Sequence, residues 1–444
     1  MGENFYIYTL SSPSTTTITN DYAMQKKYLL PFILVTSLFF LWAFLHNLNP
    51  ILIPHLRKAC QLNDLQSSFI DPAVYLGYFL TAIPAGIFIH RFGYKSGIIL
   101  GLILFAAGAL LFIPAASVRE YVFFLIALFV MACGAAFLET VANPYMTILG
   151  DPATAEQRLN FAQSFNGLGA VLAPTLGGRF ILSGIEHSKE ELNQMAPAQL
   201  QAYLNTEASA VKIPYLVIAL VVTLVIFLFL FTPFPKVSED DSAAHGAKFS
   251  MSVFKFSHLK WAVVAQFFYV AAQVAVGSFF IKFSKYVLDL PEKQAAKWWG
   301  FAMIGFVTGR FLGTFLMRYI RPDFLLGIYA VANMLLLVVG VTTKGYIPVY
   351  CVMATPFFMS IMFPTIFALG IKGLGEETKI ASSFLVMSII GGAFGAVLMG
   401  LISDKTGSIQ ISYLVPLFCF AVVLFYAISG HKVKIRTATS SVHV

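Results

Sequence analysis

Residues 121–149 read YVFFLIALFVMACGAAFLETVANPYMTIL, an apolar run interrupted by a single carboxylate, Glu139. About 20 apolar residues in helical form cross the hydrocarbon core of a bilayer, so this run is long enough to span one. A charged side chain at the centre of such a helix costs about 2.5–3.5 kcal/mol on insertion scales. The stretch therefore predicts a membrane helix and marks Glu139 as a residue that needs a reason to be there.

Eleven further runs of similar character lie near 28-56, 67-89, 97-116, 159-184, 211-232, 260-288, 295-317, 324-343, 346-372, 379-403 and 409-430. The expected fold class is an all-α membrane protein with twelve transmembrane helices. Composition agrees: of 444 residues 58% are hydrophobic and 11% charged, against about 45–50% and about 25% in soluble domains. Soluble enzymes, disordered chains and nucleic-acid binders are excluded, and the net charge of +8 is explained by loops at a membrane surface. An even number of spans puts both termini on one side. Placing that side in the cytoplasm gives the cytoplasmic loops and tails the larger share of Lys and Arg, as the positive-inside rule requires.

Two connections break the short-loop rhythm. Residues 185-210 form an outer loop after the fifth helix, and 233-259, carrying Pro233, Pro235 and Glu239-Asp240-Asp241, form a cytoplasmic linker after the sixth. The expected organisation is a flexible N-terminal tail at 1-25, six helices in 26-232, the linker at 233-259, six helices in 260-430 and a cytoplasmic tail at 431-444. The first 25 residues lack the basic start and apolar run of a signal peptide. Met24, just ahead of Lys26 and Lys27, is a candidate natural start. Four cysteines, Cys60, Cys133, Cys351 and Cys419, are too scattered for a disulfide framework or a zinc site.

The two groups of six helices carry traces of a repeat. Asn143-Pro144 through Leu149-Gly150 aligns with Phe363-Pro364 through Leu369-Gly370, Gly169-Ala170-Val171-Leu172 with Gly395-Ala396-Val397-Leu398, and Arg91 with Arg318, at offsets of 220, 226 and 227. Tandem six-helix halves have the same orientation, and the interface between them is the natural place for a binding cavity.

Several polar groups inside the apolar runs are candidates for chemistry. Glu139 and Asn143 lie four residues apart, on one face of their helix, directly before Pro144, whose missing N–H loosens the helix there. A carboxyl in that place is suited to exchange a proton as a cavity opens and closes to water; the alternative is a protonated structural glutamate. Asn160, Gln163 and Asn166 form an amide stripe on the fifth helix. Amides offer the donors and acceptors that sugar hydroxyls need, although they also join neighbouring helices. Gln163 and Asn166 are the expected substrate contacts, with Asn160 at the cytoplasmic end. Gln266, Tyr269 and Gln273 repeat the pattern on the seventh helix.

On the first helix Trp42, His46, Asn47 and Asn49 precede Pro50 and Pro54, an aromatic and polar face on a breakable helix. His46 is a candidate proton carrier. Asp71, before Pro72, either caps the second helix or takes part in ion coupling. Arg310 lies near the cytoplasmic end of the eighth helix, from which a long side chain can snorkel to water. The segment Gly86, His90-Arg91, Gly93 and Lys95 forms a tight basic turn suited to a conformational latch. No H-E-x-x-H, G-x-S-x-G or Walker loop is present, so neither enzyme activity nor a cofactor is expected.

The chain resembles the major facilitator superfamily, and within it the fucose permease group of sugar:proton symporters. The resemblance rests on Leu38-Phe39-Phe40-Leu41-Trp42, Leu48-Asn49, Leu52-Ile53-Pro54-His55, Leu138-Glu139-Thr140, Ala142-Asn143-Pro144, Leu149-Gly150, Pro364-Thr365-Ile366-Phe367 and Gly370-Ile371-Lys372. It implies two domains working by alternating access, with Glu139 as the membrane glutamate and Gln163 and Asn166 as cavity residues. Two departures bear on mechanism: Pro50 stands where the fucose symporter has an aspartate, and Phe363 stands where it has a cavity tyrosine. The superfamily's loop signature also has His90 in place of aspartate.

The expected function is import of a neutral monosaccharide, such as fucose, another hexose or an N-acetylated sugar, driven by protons through Glu139. Asp71 and His46 are candidates for the role of the missing aspartate. Trp42, Asn47, Asn143, Gln163, Asn166, Gln266, Tyr269, Gln273 and Phe363 are the expected substrate contacts. A sodium symporter, an uncoupled uniporter, a membrane sugar sensor and a drug exporter are the alternatives. The expected setting is a monomer, surrounded by lipid, in a bacterial inner membrane, with no nucleic acid and no metal.

Overall fold

The structure, a computed structural model, describes residues 15–47, 56, 59–62, 70–181, 191, 194–234 and 251–433. Among these residues nine helices are long and apolar enough to cross a membrane. One of them, within Ile70–Val118, is two helices joined where Gly93 takes φ 79, ψ 170. A positive φ at that position is open to glycine and strained for other residues, which is why the chain can reverse there in a single step. Two more helices complete the set: the first, whose apolar stretch among the described residues is Leu29–Phe44, and the fifth, where polar residues dilute the apolar run.

The twelve helices are α1 (Thr15–His46), α2 (70–92) and α3 (94–118), α4 (Tyr121–Ile148), α5 (Ala155–Ile181) and α6 (Lys212–Phe231) in the first half. The second half holds α7 (Ser257–Leu288), α8 (Glu292–Leu316), α9 (Pro322–Thr342), α10 in two parts (Tyr346–Met359 and Met362–Gly370), α11 in two parts (Thr378–Met387 and Gly391–Thr406) and α12 (409–430). α1 begins at Thr15, within the stretch expected as a tail. The expected outer loop contains a helix, Pro197–Ser209. It is held by the Arg119 guanidinium, which donates to Asn205 Oδ1 at 3.0 Å and Gln201 Oε1 at 2.7 Å; a polar sequence read as loop is thus ordered by a partner about 80 residues away. The linker is shorter than expected, because a 3-10 turn at Met251–Lys255 leads into α7. Residues 235–250 lie outside the described residues.

α4 and the second part of α10 run through the middle of the bundle, with almost every residue of Met131–Thr147 and all of Met362–Gly370 buried or half-buried. α6 lies at the periphery, and Leu216, Leu220, Leu224, Phe227 and Phe231 present an apolar face outward, as lipid contact requires. Small residues let helices approach: a side chain at Gly134 would meet the backbone of Phe105, and one at Gly108 the backbone of Met131, so α3 and α4 pack backbone to backbone. The two halves meet through α2 against α11, α4 against α10 and α11, and α5 against α8 and α10. The turns 149–154, 317–321 and 371–377 and the exit of α6 toward the linker share one end of the bundle, called here the linker side.

Candidate functional site

Glu139 sits on the interior face of α4 at 8% exposure. The Tyr78 hydroxyl of α2 is hydrogen-bonded to its carboxyl. The other oxygen, Oε2, is buried with no partner among the described residues. A buried polar oxygen left unpaired costs about 1–3 kcal/mol, so the carboxyl is held in place on one side and open to a proton or a ligand on the other.

One turn along α4, the Asn143 side chain donates through Nδ2 to the Glu139 backbone carbonyl at 2.8 Å and accepts through Oδ1 from Gln163 Nε2 at 3.0 Å. The first bond is local, within one turn of α4. The second joins α4 to α5. Gln163 then meets the second half: Arg310 Nη1 donates to the Gln163 backbone carbonyl at 2.6 Å and stands 3.5 Å from Gln163 Oε1. Arg310 Nε donates to the Ser360 carbonyl at 2.7 Å, at the break between the two parts of α10. The guanidinium also lies 4.5 Å over the Phe306 ring. A continuous polar path therefore runs from Tyr78 through Glu139, Asn143 and Gln163 to Arg310 and the α10 break, crossing from one half to the other.

Arg310 corrects the snorkelling expectation. Its side chain is 3% exposed and turns inward, because the α10 break frees the Ser360 carbonyl and α5 presents a second carbonyl at the same level. Two backbone acceptors and an aromatic face satisfy the cation in the interior, which removes the drive to reach water.

Toward the linker side three further contacts join the halves. Asn160 Nδ2 donates to Glu156 O at 2.8 Å and to Thr365 Oγ1 at 3.1 Å. Gln157 Nε2 donates to Thr314 O at 3.3 Å. Lys372 Nζ pairs with Glu156 Oε1 at 2.7 Å, the lysine 55% exposed and the carboxylate 4%. His258 Nε2 lies 3.1 Å from the Lys372 backbone carbonyl. The expected latch takes part as well. Lys95 ties the α2–α3 turn to the carbonyls of Leu230 and Thr232, both at 3.0 Å, Lys379 of α11 lies 5.3 Å over the Tyr94 ring, and Gly86 touches Ser383. The linker side is closed in this structure.

The remaining expected contacts are distributed through the bundle. Asn166, one turn from Gln163, and Gln273 are half-buried. Gln266 is fully buried with neither amide atom partnered among the described residues. Tyr269 donates to Met359 O at 3.0 Å, and its ring stands edge-on to Phe363 at 6.4 Å. Phe363 in turn stacks on Phe367 at 6.3 Å. Trp42 is buried, with its ring 4.4 Å from Phe39, and Asn47 Nδ2 donates to Ala43 O at 2.8 Å. The side chains of His46, Asp71 and Arg179, and Asn49 and Pro50 altogether, lie outside the described residues. The sequence reading missed Tyr78 as the partner of Glu139 and the Glu156–Lys372 pair. The only sequence trace of the latter is a carboxylate at the second residue of α5 and a lysine two residues beyond α10.

The sequence model described as Major Facilitator Superfamily matches residues 32–384. The chain is 41% identical over 443 residues to the L-fucose-proton symporter of Escherichia coli K12, with 97% of this chain and 99% of the relative covered. It is also 41% identical over 428 residues to a glucose/galactose transporter of Brucella abortus, covering 95% and 99%. Among solved structures, a crystal structure of a major facilitator transporter, FucP, in the outward conformation shares a TM-score of 0.84 at 41% identity, covering 90% of this chain and 98% of that one.

Proposed function

The chain belongs to the major facilitator superfamily, and from that premise we propose that it imports a neutral monosaccharide together with a proton by alternating access. The observation that carries the reading is the placement of Glu139. Its carboxyl is buried at the interior face of α4, with one oxygen bonded to Tyr78, the other open, and its helix joined through Asn143 and Gln163 to the opposite half. Such a group takes up a proton when water reaches it and carries that charge through the conformational change. The relatives named for fucose-proton symport and for glucose/galactose transport support a hexose-type substrate.

In this reading the linker side is cytoplasmic, both termini lie there, and the protein resides in the inner membrane of a bacterial cell. The closed linker side is then the closed cytoplasmic gate of an outward-facing state. Asn166 and Gln273 contribute amides to sugar hydroxyls, and Phe363 and Tyr269 contribute ring faces and edges to its apolar side. One charge moved across about 100 mV is worth about 2.3 kcal/mol, enough to hold roughly a fifty-fold sugar gradient.

The test is uptake into proteoliposomes of radiolabelled fucose, galactose, glucose and N-acetylglucosamine under an imposed pH gradient. Accumulation of at least one sugar that collapses with a protonophore and persists without sodium supports the reading. Loss on sodium removal assigns sodium coupling, equilibration without accumulation assigns a uniporter, and binding without flux assigns a sensor.

A further inference from the structure

We infer that Arg310 is the positioning residue that sets the balance between the closed and open linker side, acting as a cation shared between backbone carbonyls of the two halves. The inference rests on the transporter reading only in giving that balance a purpose.

A salt bridge at a gate breaks into two hydrated ions. Arg310 has no such exit, because at 3% exposure its guanidinium is remote from water, and among the described residues no carboxylate pairs with it. Its donors are committed to Gln163 O on one side and Ser360 O on the other. Ser360 belongs to its own half and moves with it; Gln163 does not. Gln163 lies eight residues into α5, roughly 12 Å from its linker-side end, so the contact is deeper than the Glu156–Lys372 pair and near the level of Glu139. Separating α5 from α8 at the linker side removes the Gln163 carbonyl and leaves a buried cation short of an acceptor. That cost opposes opening until another acceptor replaces the lost one.

The same contact places Arg310 in touch with the proton site. Gln163 uses its side-chain amide to hold Asn143 and its carbonyl to hold Arg310, and Asn143 holds the Glu139 turn. A shift of the α4 turn is passed to Arg310 through two amide side chains without a change of charge at either.

The test reads conformation directly and needs neither substrate nor coupling ion, so its failure is separable from failure of the transport reading. Spin labels at exposed Ala153 and Glu376, which flank the linker-side ends of the two halves, are placed in a background with the four native cysteines replaced. The label-to-label distance distribution then reports the fraction open. In the full-length protein, Arg310→Lys, which keeps the charge but loses the planar fork, should raise the open-to-closed ratio about tenfold, equivalent to about 1.4 kcal/mol. Gln163→Glu, which offers the guanidinium a carboxylate across the same boundary, should shift the ratio the other way. Opposite shifts in the two variants support the inference. A wild-type distribution in folded Arg310→Lys protein, or shifts of the same sign in both variants, overturns it. Should Arg310→Lys fail to yield folded protein, the Gln163→Glu distribution decides alone: a more closed population supports the inference and an unchanged or more open one overturns it.

Discussion

The Arg310 guanidinium of α8 stands 2.6 Å from the backbone carbonyl of Gln163 on α5, so a buried cation of one half is held by a peptide group of the other. Side-chain gates of exposed ions exchange readily with water. A charge bound to carbonyls inside the bundle makes closure of the linker side a property of the interior as well as of the rim.

The rim itself is asymmetric, and the asymmetry is measurable. Glu156 is nearly buried while Lys372 is more than half exposed. Lys372→Ala leaves a carboxylate buried without its partner, whereas Glu156→Gln leaves a lysine that simply hydrates. Thermal unfolding in detergent should show Lys372→Ala less stable than Glu156→Gln by about 1–3 kcal/mol. The double variant should recover most of that difference.

Gly86 packs where α2 meets α11. A side chain there would press on the Ser383 side chain and on the Lys379 carbonyl at 3.2 Å. Gly86→Val should therefore leave each half folded but hold the halves apart at the linker side. The expected outcome is a melting temperature close to wild type, with the distance distribution between labels at 153 and 376 moved toward the open population.

Phe363 lies edge-on to Tyr269 at 6.4 Å with 9% exposure. Phe363→Tyr adds a hydroxyl in a place with little water. Where a sugar hydroxyl meets it affinity rises, and where none does the unpaired group costs about 1–3 kcal/mol. Competition binding should show the relative affinities of fucose and galactose changed by about tenfold, with the melting temperature in the absence of sugar lowered.

The helices were legible because lipid imposes a single rule on them, length and apolarity, and the turn at Gly93 because only one residue type takes that backbone conformation freely. The polar stripe on α5 was legible in the same way, as a departure from the rule. The partners were not. Nothing in the spacing of Tyr78 or Arg310 says which helix will lie opposite, and the position of Arg310 near a helix end pointed outward to water. What turned it inward is the break in α10, where Pro364, four residues on, has no N–H to give the Ser360 carbonyl. The Pro197–Ser209 helix was missed because its anchor, Arg119, lies on another connection.

Cys60 gives a pH-dependent signature away from the membrane interior. Its thiol stands 3.9 Å from the Arg119 carbonyl, and burial raises its pKa from 9.0 to about 11 despite the nearby Arg119 charge. A raised thiol pKa depletes the reactive thiolate below that value. Maleimide labelling at Cys60 near pH 7.5 should be about 100-fold slower than for a free cysteine thiol, and should accelerate with pH until it passes through about 11. Cys60→Ser removes this component of the labelling and identifies it.

If Glu139 carries the coupled proton, its amide isostere, which cannot ionise, should separate sugar binding from accumulation. Purified Glu139→Gln protein in liposomes should bind sugar and exchange labelled for unlabelled sugar at a rate within a few-fold of wild type, while failing to accumulate sugar under an imposed pH gradient. Accumulation at the wild-type level by that variant would show that the coupled proton is carried elsewhere.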